Sequence, residues 1–297
     1  MAATTRPRRS MLYMPGSNAR ALEKGRTLAA DALVLDLEDA VAPDAKETAR
    51  RQILEALAEG GYGGREILVR TNGLDSEWGR EDIAAMAKSG ADAILLPKVE
   101  SAEMIRQAEE VMADHGAPAN LAIWCMIETP LGVLHAEEIA WGSGRLSGFV
   151  MGTSDLAKDL HCLHTPGRLP FVTSLSLCIL AARAHGLAIL DGVHLDLSDD
   201  EGFAESCRQG LEFGFDGKTL IHPKTIAKAN ETFAPSADEI AWSEKIIAAH
   251  EEASKAGKGV VVVDGRLVEN LHVENAKRIV GLATMIGELE VSAGAKS

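Results

Sequence analysis

Eight short apolar runs alternate with amphipathic helical stretches along this chain, and this alternation constrains the fold most strongly. The runs are continuous for the most part, which is typical of parallel strands buried on both faces. We therefore predict an α/β fold, a (β/α)₈ TIM barrel, for which the chain's 297 residues suffice, since a barrel takes about 250. The eight predicted strands are Met11–Met14, Ala32–Leu37, Ile67–Arg70, Ala93–Pro97, Leu121–Ile127, Gly148–Met151, Ala188–Val193 and Phe215–Ile221.

A doubly wound sheet is the competing fold. It is disfavoured because no GxGxxG motif follows the first run and because the count of runs reaches eight. One interval is longer than the others, since residues 159–170 lie between the sixth and seventh runs. Loops after barrel strands lie on the catalytic face. We therefore expect this insertion to border the site or a subunit contact.

The chain continues past the eighth run, and we divide it into a barrel, residues 1–230, and a C-terminal extension, residues 231–297. The extension contains a predicted helix at Ala237–Lys255 and a glycine-containing hinge at Gly257–Gly259. Asp264-Gly265 then lies between two apolar runs, which is a strong hairpin signal. A last helix is predicted at about Val273–Glu288. The extension is long enough to form a lid or an arm that reaches a neighbouring subunit.

Charge and cysteine content exclude some classes of partner. The formal net charge of −14 argues against nucleic acid. The four cysteines form no CxxC pair, and no apolar run approaches the roughly 18 residues of a membrane span. We therefore expect a cytoplasmic protein with no membrane partner. The first 26 residues are nonetheless basic, which indicates either a phosphate-binding patch or a solvated tail and helix face; the residues are Arg6, Arg8, Arg9, Arg20, Lys24 and Arg26.

Polar residues at the C-terminal ends of barrel strands are the candidates for chemistry. Carboxylates that converge from several strands suggest a hard divalent cation, because buried charges are costly unless they are paired or bound to metal. Salt-bridged carboxylates that cap the following helices are the alternative interpretation. The candidates are Asp36, Glu38, Asp39, Arg70, Lys98, Glu128, Asp155, Lys218 and His222.

Six sequence stretches identify a family resemblance. They are Ser10–Asn18, Leu35–Asp44, Val69–Leu74, Ile127–Gly132, Gly152–Ala157 and Gly214–Pro223. With these stretches the chain resembles the citrate lyase β-subunit and malyl-CoA lyase family, within the HpcH/HpaI aldolase superfamily. The resemblance runs from Arg9 to about Leu289, and its motifs arrive in order at the ends of the predicted strands.

The resemblance implies a TIM barrel in which Glu128 and Asp155 hold Mg²⁺, or Mn²⁺ in its place. It also implies Arg70 beside the reacting atoms and a base, Asp264, in the C-terminal hairpin. Family members split malyl-CoA, β-methylmalyl-CoA or citramalyl-CoA into acetyl-CoA or propionyl-CoA and glyoxylate or pyruvate. We expect a stand-alone lyase of this kind, and a homotrimer or homohexamer whose hairpin acts in cis or on the neighbouring barrel.

The chemistry gives these residues physical roles. Arg70 has a planar guanidinium that can stabilise the enolate oxygen of the leaving thioester. Mg²⁺ would chelate the carbonyl and carboxylate of the 2-oxo acid as a Lewis acid. A carboxylate such as Asp264 can move the proton of the acyl methyl carbon. The remaining binding candidates are Gly152, Thr153 and Ser154, whose N–H groups could hold the substrate carboxylate, and Arg20 and Lys24, which could meet the CoA phosphates.

Other functions remain open from the sequence. The same metal site could hydrolyse malyl-CoA as a thioesterase, or the chain could be a citrate lyase β-subunit that acts on an acyl-carrier thioester. A class I aldolase would use Lys98 or Lys218 as a Schiff base, whereas a salt-bridged Lys218 would only close the barrel. A zinc site is suggested more weakly, by the loose spacing of His161, Cys162 and His164.

Overall fold

The computed structural model describes residues 6–255 and 260–294, so the predicted hinge at Gly257–Gly259 lies outside the described residues. Eight parallel strands pair in chain order, and β8 pairs with β1, so they form a closed barrel. The prediction of a TIM barrel is confirmed. The strands are β1 (Ser10–Pro15), β2 (Ala32–Asp36), β3 (Glu66–Arg70), β4 (Ala93–Leu96), β5 (Ala122–Ile127), β6 (Leu146–Met151), β7 (Ala188–Asp191) and β8 (Gly217–Leu220).

Helices cover the outside of this barrel. Those of the barrel unit are α1 (Ala19–Gly25), α2 (Lys46–Glu59), α3 (Gly79–Met86), α4 (Ala102–Asp114), α5 (Pro130–Leu134), α6 (Ala136–Trp141), α7 (Thr153–Asp159), α8 (Val172–Ala184), α9 (Asp200–Phe213) and α10 (Ile226–Phe233). Short 3₁₀ helices lie at Pro43–Ala45, Leu169–Phe171 and Pro223–Thr225. Within the described ranges, no helix is long and apolar enough to cross a membrane.

Alternate residues of strands β1 to β7 pack into two different cores. In β2, Val34 lies in the barrel interior, while Leu33 and Leu35 pack in the layer between strands and helices. Trp124 of β5 occupies much of the interior. Gly148 of β6 makes room for it, because a Cβ there would lie 2.6 Å from the indole ring. Both faces of every strand are therefore buried, which explains why the sequence shows continuous apolar runs.

Two buried ion pairs close the N-terminal end of the barrel. The Arg8 side chain donates to both Glu66 oxygens, at 2.5 and 2.9 Å, and Arg9 donates to Asp31 at 2.9 Å. Arg26 donates to Glu59 on α2 at 2.7 Å. These arginines hold the fold together, so the interpretation of the basic N-terminal region as one phosphate-binding patch is wrong for them.

The C-terminal unit begins at Ala234 and is compact by itself. Helix α11 (Ala237–Lys255) packs on α12 (Asn270–Gly294), and strands β9 (Val261–Val263) and β10 (Arg266–Val268) form an antiparallel hairpin. Asp264 and Gly265 have φ angles of 46° and 77°, the left-handed backbone of a type I′ turn. The predicted hairpin is confirmed. The buried core of the C-terminal unit comprises Ile246, Val263, Val268, Val273 and Ala276.

Candidate active site

A cavity of about 380 Å³ lies at the C-terminal ends of the barrel strands. It brings together residues that the sequence separates widely, because the loops after parallel barrel strands share one face. The predicted site residues that line it are Arg70, Glu128, Gly152, Thr153, Ser154 and Asp155, together with Tyr13, Asp36, Asp39 and Met126.

Arg70, at the end of β3, is held rigidly on one wall of the cavity. Its Nε and one terminal nitrogen donate to the two oxygens of Asp36, each at 2.6 Å. Its other terminal nitrogen lies 2.7 Å from Glu38 Oε2. The guanidinium carbon also lies 4.9 Å from the centre of the Tyr13 ring. The salt-bridge interpretation therefore holds for Asp36 and Glu38, and these carboxylates orient Arg70.

Glu128 follows β5 and is only 2% exposed. Its Oε1 accepts the backbone N–H of Lys98 at 2.8 Å. Burial, together with the negative charge of Glu38, raises the pKa of Glu128 to about 7. A buried carboxylate of this kind gains stability when a cation approaches it.

Asp155 lies in the first turn of α7, and its side chain is 28% exposed. It lines the same cavity as Glu128. The two carboxylates therefore come from different strand ends, and a pair of carboxylates with room for water and substrate oxygens is the donor set that Mg²⁺ prefers. The residues present fit a hard divalent cation.

Gly152 contributes to the site in a way that differs from the prediction. Its N–H already donates to the Ile127 carbonyl at 3.0 Å, so this amide is engaged within the fold, and a role for it in holding a substrate carboxylate stays a prediction. Its missing side chain also matters, because a Cβ there would lie 2.3 Å from Glu128 Oε2. Thr153 and Ser154 begin α7, and first-turn amides have no acceptor within their own helix.

Two of the predicted binding residues lie on a helix of the barrel unit. Arg20 and Lys24 are exposed on α1, where they line a shallow surface depression with Glu23. In the C-terminal unit, Asp264 accepts from Lys245 Nζ at 2.5 Å.

The lysines of the aldolase hypothesis are both ion-paired. Lys218 lies within β8, is fully buried, and donates to Asp191 at 2.7 Å. Burial lowers the pKa of Lys218, although Asp191 opposes the shift. Lys98 Nζ donates to Glu38 Oε1 at 2.7 Å. The interpretation of Lys218 as a salt-bridged lysine that closes the barrel agrees with this geometry.

The residues of the zinc hypothesis have other contacts. The His164 ring packs on Phe171 at 5.0 Å between centroids, and Cys162 packs against the hydrophobic core. Tyr13 and Met126 are among the residues that line the cavity but were not predicted as site residues from the sequence. The alternation of inward residues along β1 and β5 is the signal that could have identified them.

Comparison with known proteins identifies the family. The model of the HpcH/HpaI aldolase/citrate lyase family matches residues 9–223. The chain belongs to this family. It is 50% identical over 292 residues to a (3S)-malyl-CoA thioesterase of Cereibacter sphaeroides, covering 98% of this chain and 100% of that protein. It is 38% identical over 283 residues to the citrate lyase subunit beta of Leuconostoc mesenteroides subsp. cremoris, covering 94% of each.

Solved structures of the family share the fold. CitE from Mycobacterium tuberculosis, in complex with magnesium, acetoacetate and coenzyme A, superposes with a TM-score of 0.73 at 28% identity. That match covers 95% of this chain and 99% of the other. RipC from Yersinia pestis superposes with a TM-score of 0.67 at 29% identity, covering 81% of this chain and 100% of the other. The family resemblance seen in the sequence is confirmed.

Proposed function

We propose that this chain is a Mg²⁺-dependent enzyme that hydrolyses the thioester of (3S)-malyl-CoA or a closely related 3-hydroxyacyl-CoA. The main support for the proposal is that Arg70, Glu128 and Asp155 line one and the same cavity. The 50% identity to a (3S)-malyl-CoA thioesterase along that protein's whole length favours hydrolysis over carbon–carbon cleavage. A family enzyme in complex with magnesium and coenzyme A supports the choice of metal and substrate class.

Glu128 and Asp155 would hold the metal. Mg²⁺, when bound, supplies Lewis-acid polarisation and charge neutralisation for the substrate's oxygen atoms. Thr153 and Ser154 line the same cavity, and their amides would receive the malyl carboxylate. Arg20 and Lys24 offer exposed positive charge for the phosphates of CoA.

Arg70 would stabilise the negative charge that forms on the thioester oxygen. In hydrolysis, water loses a proton to a base as its oxygen bonds to the thioester carbon, and the carbonyl oxygen becomes an oxyanion. The carbonyl then re-forms as the C–S bond breaks, and the sulfur leaves as the CoA thiolate. The guanidinium, fixed by Asp36 and Glu38, needs no reorganisation to meet this charge. Asp264 would be the base that accepts the proton of the attacking water, in an arrangement where the hairpin reaches the cavity of its own or a neighbouring barrel.

Carbon–carbon cleavage is the second candidate. The same Arg70 would then stabilise an enolate oxygen, and the products would be acetyl-CoA or propionyl-CoA and a 2-oxo acid. The citrate lyase subunits among the relatives favour this outcome. The two reactions differ in the bond that breaks, which is the C–S bond of the thioester in hydrolysis and a carbon–carbon bond of the acyl chain in the lyase reaction.

One assay separates these outcomes. Purified chain with Mg²⁺ is incubated with malyl-CoA, citramalyl-CoA and β-methylmalyl-CoA, and free thiol and 2-oxo acid are measured separately. Hydrolysis gives free CoA thiol and no 2-oxo acid, whereas the lyase gives a 2-oxo acid and no free thiol. Glu128→Gln is the control for background hydrolysis. Absence of turnover of every free CoA ester would overturn the proposal and favour an acyl-carrier substrate.

A further inference from the structure

Lys98 has a backbone conformation that lysine rarely adopts. It follows β4, and its φ angle of 49° places it in the left-handed region, where a side chain is disfavoured and glycine is not. Such conformations persist only where the surrounding structure enforces them, and they cluster at functional sites. The contacts of Lys98 indicate what the strained backbone achieves.

Two contacts of Lys98 connect it to Glu128 and, through Glu38, to Arg70. Its backbone N–H donates to Glu128 Oε1 at 2.8 Å. Its Nζ donates to Glu38 Oε1 at 2.7 Å, and the other oxygen of Glu38 lies 2.7 Å from Arg70. One residue thus touches the proposed metal ligand directly and the proposed oxyanion-stabilising arginine through one intermediate.

Lys98 and Glu38 lie outside the reaction cavity. Both line a neighbouring cleft of about 840 Å³, whereas Arg70 and Glu128 line the cavity of about 380 Å³. Glu38 is largely buried, with a side chain 10% exposed, while that of Lys98 is 45% exposed. The ion pair therefore reaches the cavity through Arg70 and Glu128 and does not line it.

We propose that Lys98 is a positioning residue that fixes Glu128 and, through Glu38, Arg70 relative to each other. The left-handed backbone turns the amide toward Glu128 while the side chain extends to Glu38. Neutralising the ammonium would leave Glu38 free to swing, and Arg70 would lose one of its two carboxylate anchors. The catalytic part of this inference rests on the proposed function, but the placement of Arg70 can be measured without turnover.

The test uses Tyr13 as a reporter of Arg70. The chain has two tyrosines, Tyr13 and Tyr62, so 3-fluorotyrosine labelling gives two ¹⁹F resonances, which Tyr13→Phe assigns. Since Arg70 lies over the Tyr13 ring, Lys98→Met and Glu38→Gln should each move the Tyr13 resonance and leave that of Tyr62 in place. The double variant should move it no further than the larger single change, because both remove the same contact.

Turnover and metal binding provide the second readout. Lys98→Met and Lys98→Gly should each lower kcat about tenfold with little change in KM or in Mn²⁺ affinity, because the backbone contact to Glu128 remains. Lys98→Gly also relieves the backbone strain, so an equal loss of kcat in Lys98→Met and Lys98→Gly would assign the loss to the side chain. Lys98→Arg should recover part of the activity.

Lys228→Met, which breaks an exposed Lys228–Glu231 pair on α10, is the matched control and should change neither readout. An unmoved Tyr13 resonance in Lys98→Met would overturn the inference, as would additive effects in the double variant. If the wild-type chain turns over none of the thioesters, the proposed function fails, and the fluorine spectra alone decide the positioning role.

Discussion

Glu128 is a carboxylate in a place that disfavours its charge. Burial and the charge of Glu38 raise its pKa from 4.5 to about 7, so the folded protein binds this proton more tightly than the unfolded chain does. Its contribution to stability is therefore complete at acid pH and is lost as the pH rises from about 4.5 to about 7. A bound cation would remove this loss, because it favours the ionised form.

Replacing Glu128 tests this linkage. In metal-free protein, Glu128→Gln should raise the free energy of unfolding near pH 8 by up to about 3 kcal/mol and change it little in acid, because glutamine has no charge to desolvate. The variant should also lose the stabilisation by Mg²⁺ that wild type shows. Denaturant unfolding at both pH values, with and without Mg²⁺, measures this. An equal change in the free energy of unfolding at the two pH values would contradict this prediction. Glu231→Gln, at an exposed position, is the control and should change the free energy of unfolding little at either pH.

Arg70 is predicted to act through geometry as well as charge. Arg70→Lys keeps the positive charge, but an ammonium cannot donate to both Asp36 oxygens in one plane while it also pairs with Glu38. We expect kcat to fall by roughly 10²-fold, as for loss of one oxyanion donor, with a much smaller change in KM. Steady-state kinetics on the thioester that wild type turns over measures it. A variant within threefold of wild type would make Arg70 a structural residue.

Strands β7 and β8 are joined by a buried charge cluster whose charged side chains do not line the candidate cavity. Asp191, at the end of β7, is fully buried and accepts from Lys218 at 2.7 Å and from Arg168 at 2.7 and 2.8 Å. Arg168 belongs to the insertion at residues 159–170, so the cluster ties that loop to the barrel. The insertion also lines a cavity of about 270 Å³ that shares Thr153, Val193 and Leu195 with the candidate site.

Removing the single anion of this cluster should damage the fold and leave chemistry alone. Asp191→Asn leaves two buried cations without a carboxylate, so we expect a loss of about 3–5 kcal/mol in unfolding free energy. Folded protein should retain its kcat. Thermal and denaturant unfolding measure the effect, and Glu212→Gln, in an exposed i,i+4 pair with Arg208, is the control with little expected change. A loss below 1 kcal/mol would show that the cluster contributes little.

The secondary-structure elements were more predictable from the sequence than the side-chain contacts between them. Burial on both faces fixes the apolar runs, and Asp264-Gly265 fixes a turn, so both signals are local. The partners of Asp36 and Glu38 depend on which side chains meet across strand ends, and a run of acids looks the same whether it binds metal or Arg70. The strained backbone of Lys98 and the engaged amide of Gly152 also arise from tertiary packing. Arg70, Glu128 and Asp155 were predicted from family motifs and line the cavity, whereas the ion pairs that support them were not predicted.

On the scale of the whole molecule, the proposed chemistry links the C-terminal unit to a barrel through Asp264. Asp264 is 60% exposed as a side chain and pairs with Lys245 in its own unit. We propose that this unit acts as a lid or as an arm to a neighbouring barrel in a homotrimer or homohexamer. An exposed pair of this kind contributes at most about 1 kcal/mol, so it can be exchanged for a contact with substrate.

Subunit mixing distinguishes the two arrangements. Asp264→Asn keeps the type I′ turn, since asparagine tolerates a positive φ there, but removes the carboxylate, so we expect an inactive folded chain. Glu128→Gln should be inactive through loss of the metal. If Asp264 acts on a neighbouring barrel, mixing the two variants under subunit exchange creates sites with both functions intact, and activity returns. If it acts on its own barrel, every site keeps one defect and the mixture stays inactive. Lys245→Met is the control, because it loses the same ion pair but retains Asp264. This variant should remain active, which would show that loss of the ion pair alone does not abolish activity. A fully active Asp264→Asn chain would remove Asp264 from the chemistry in either arrangement.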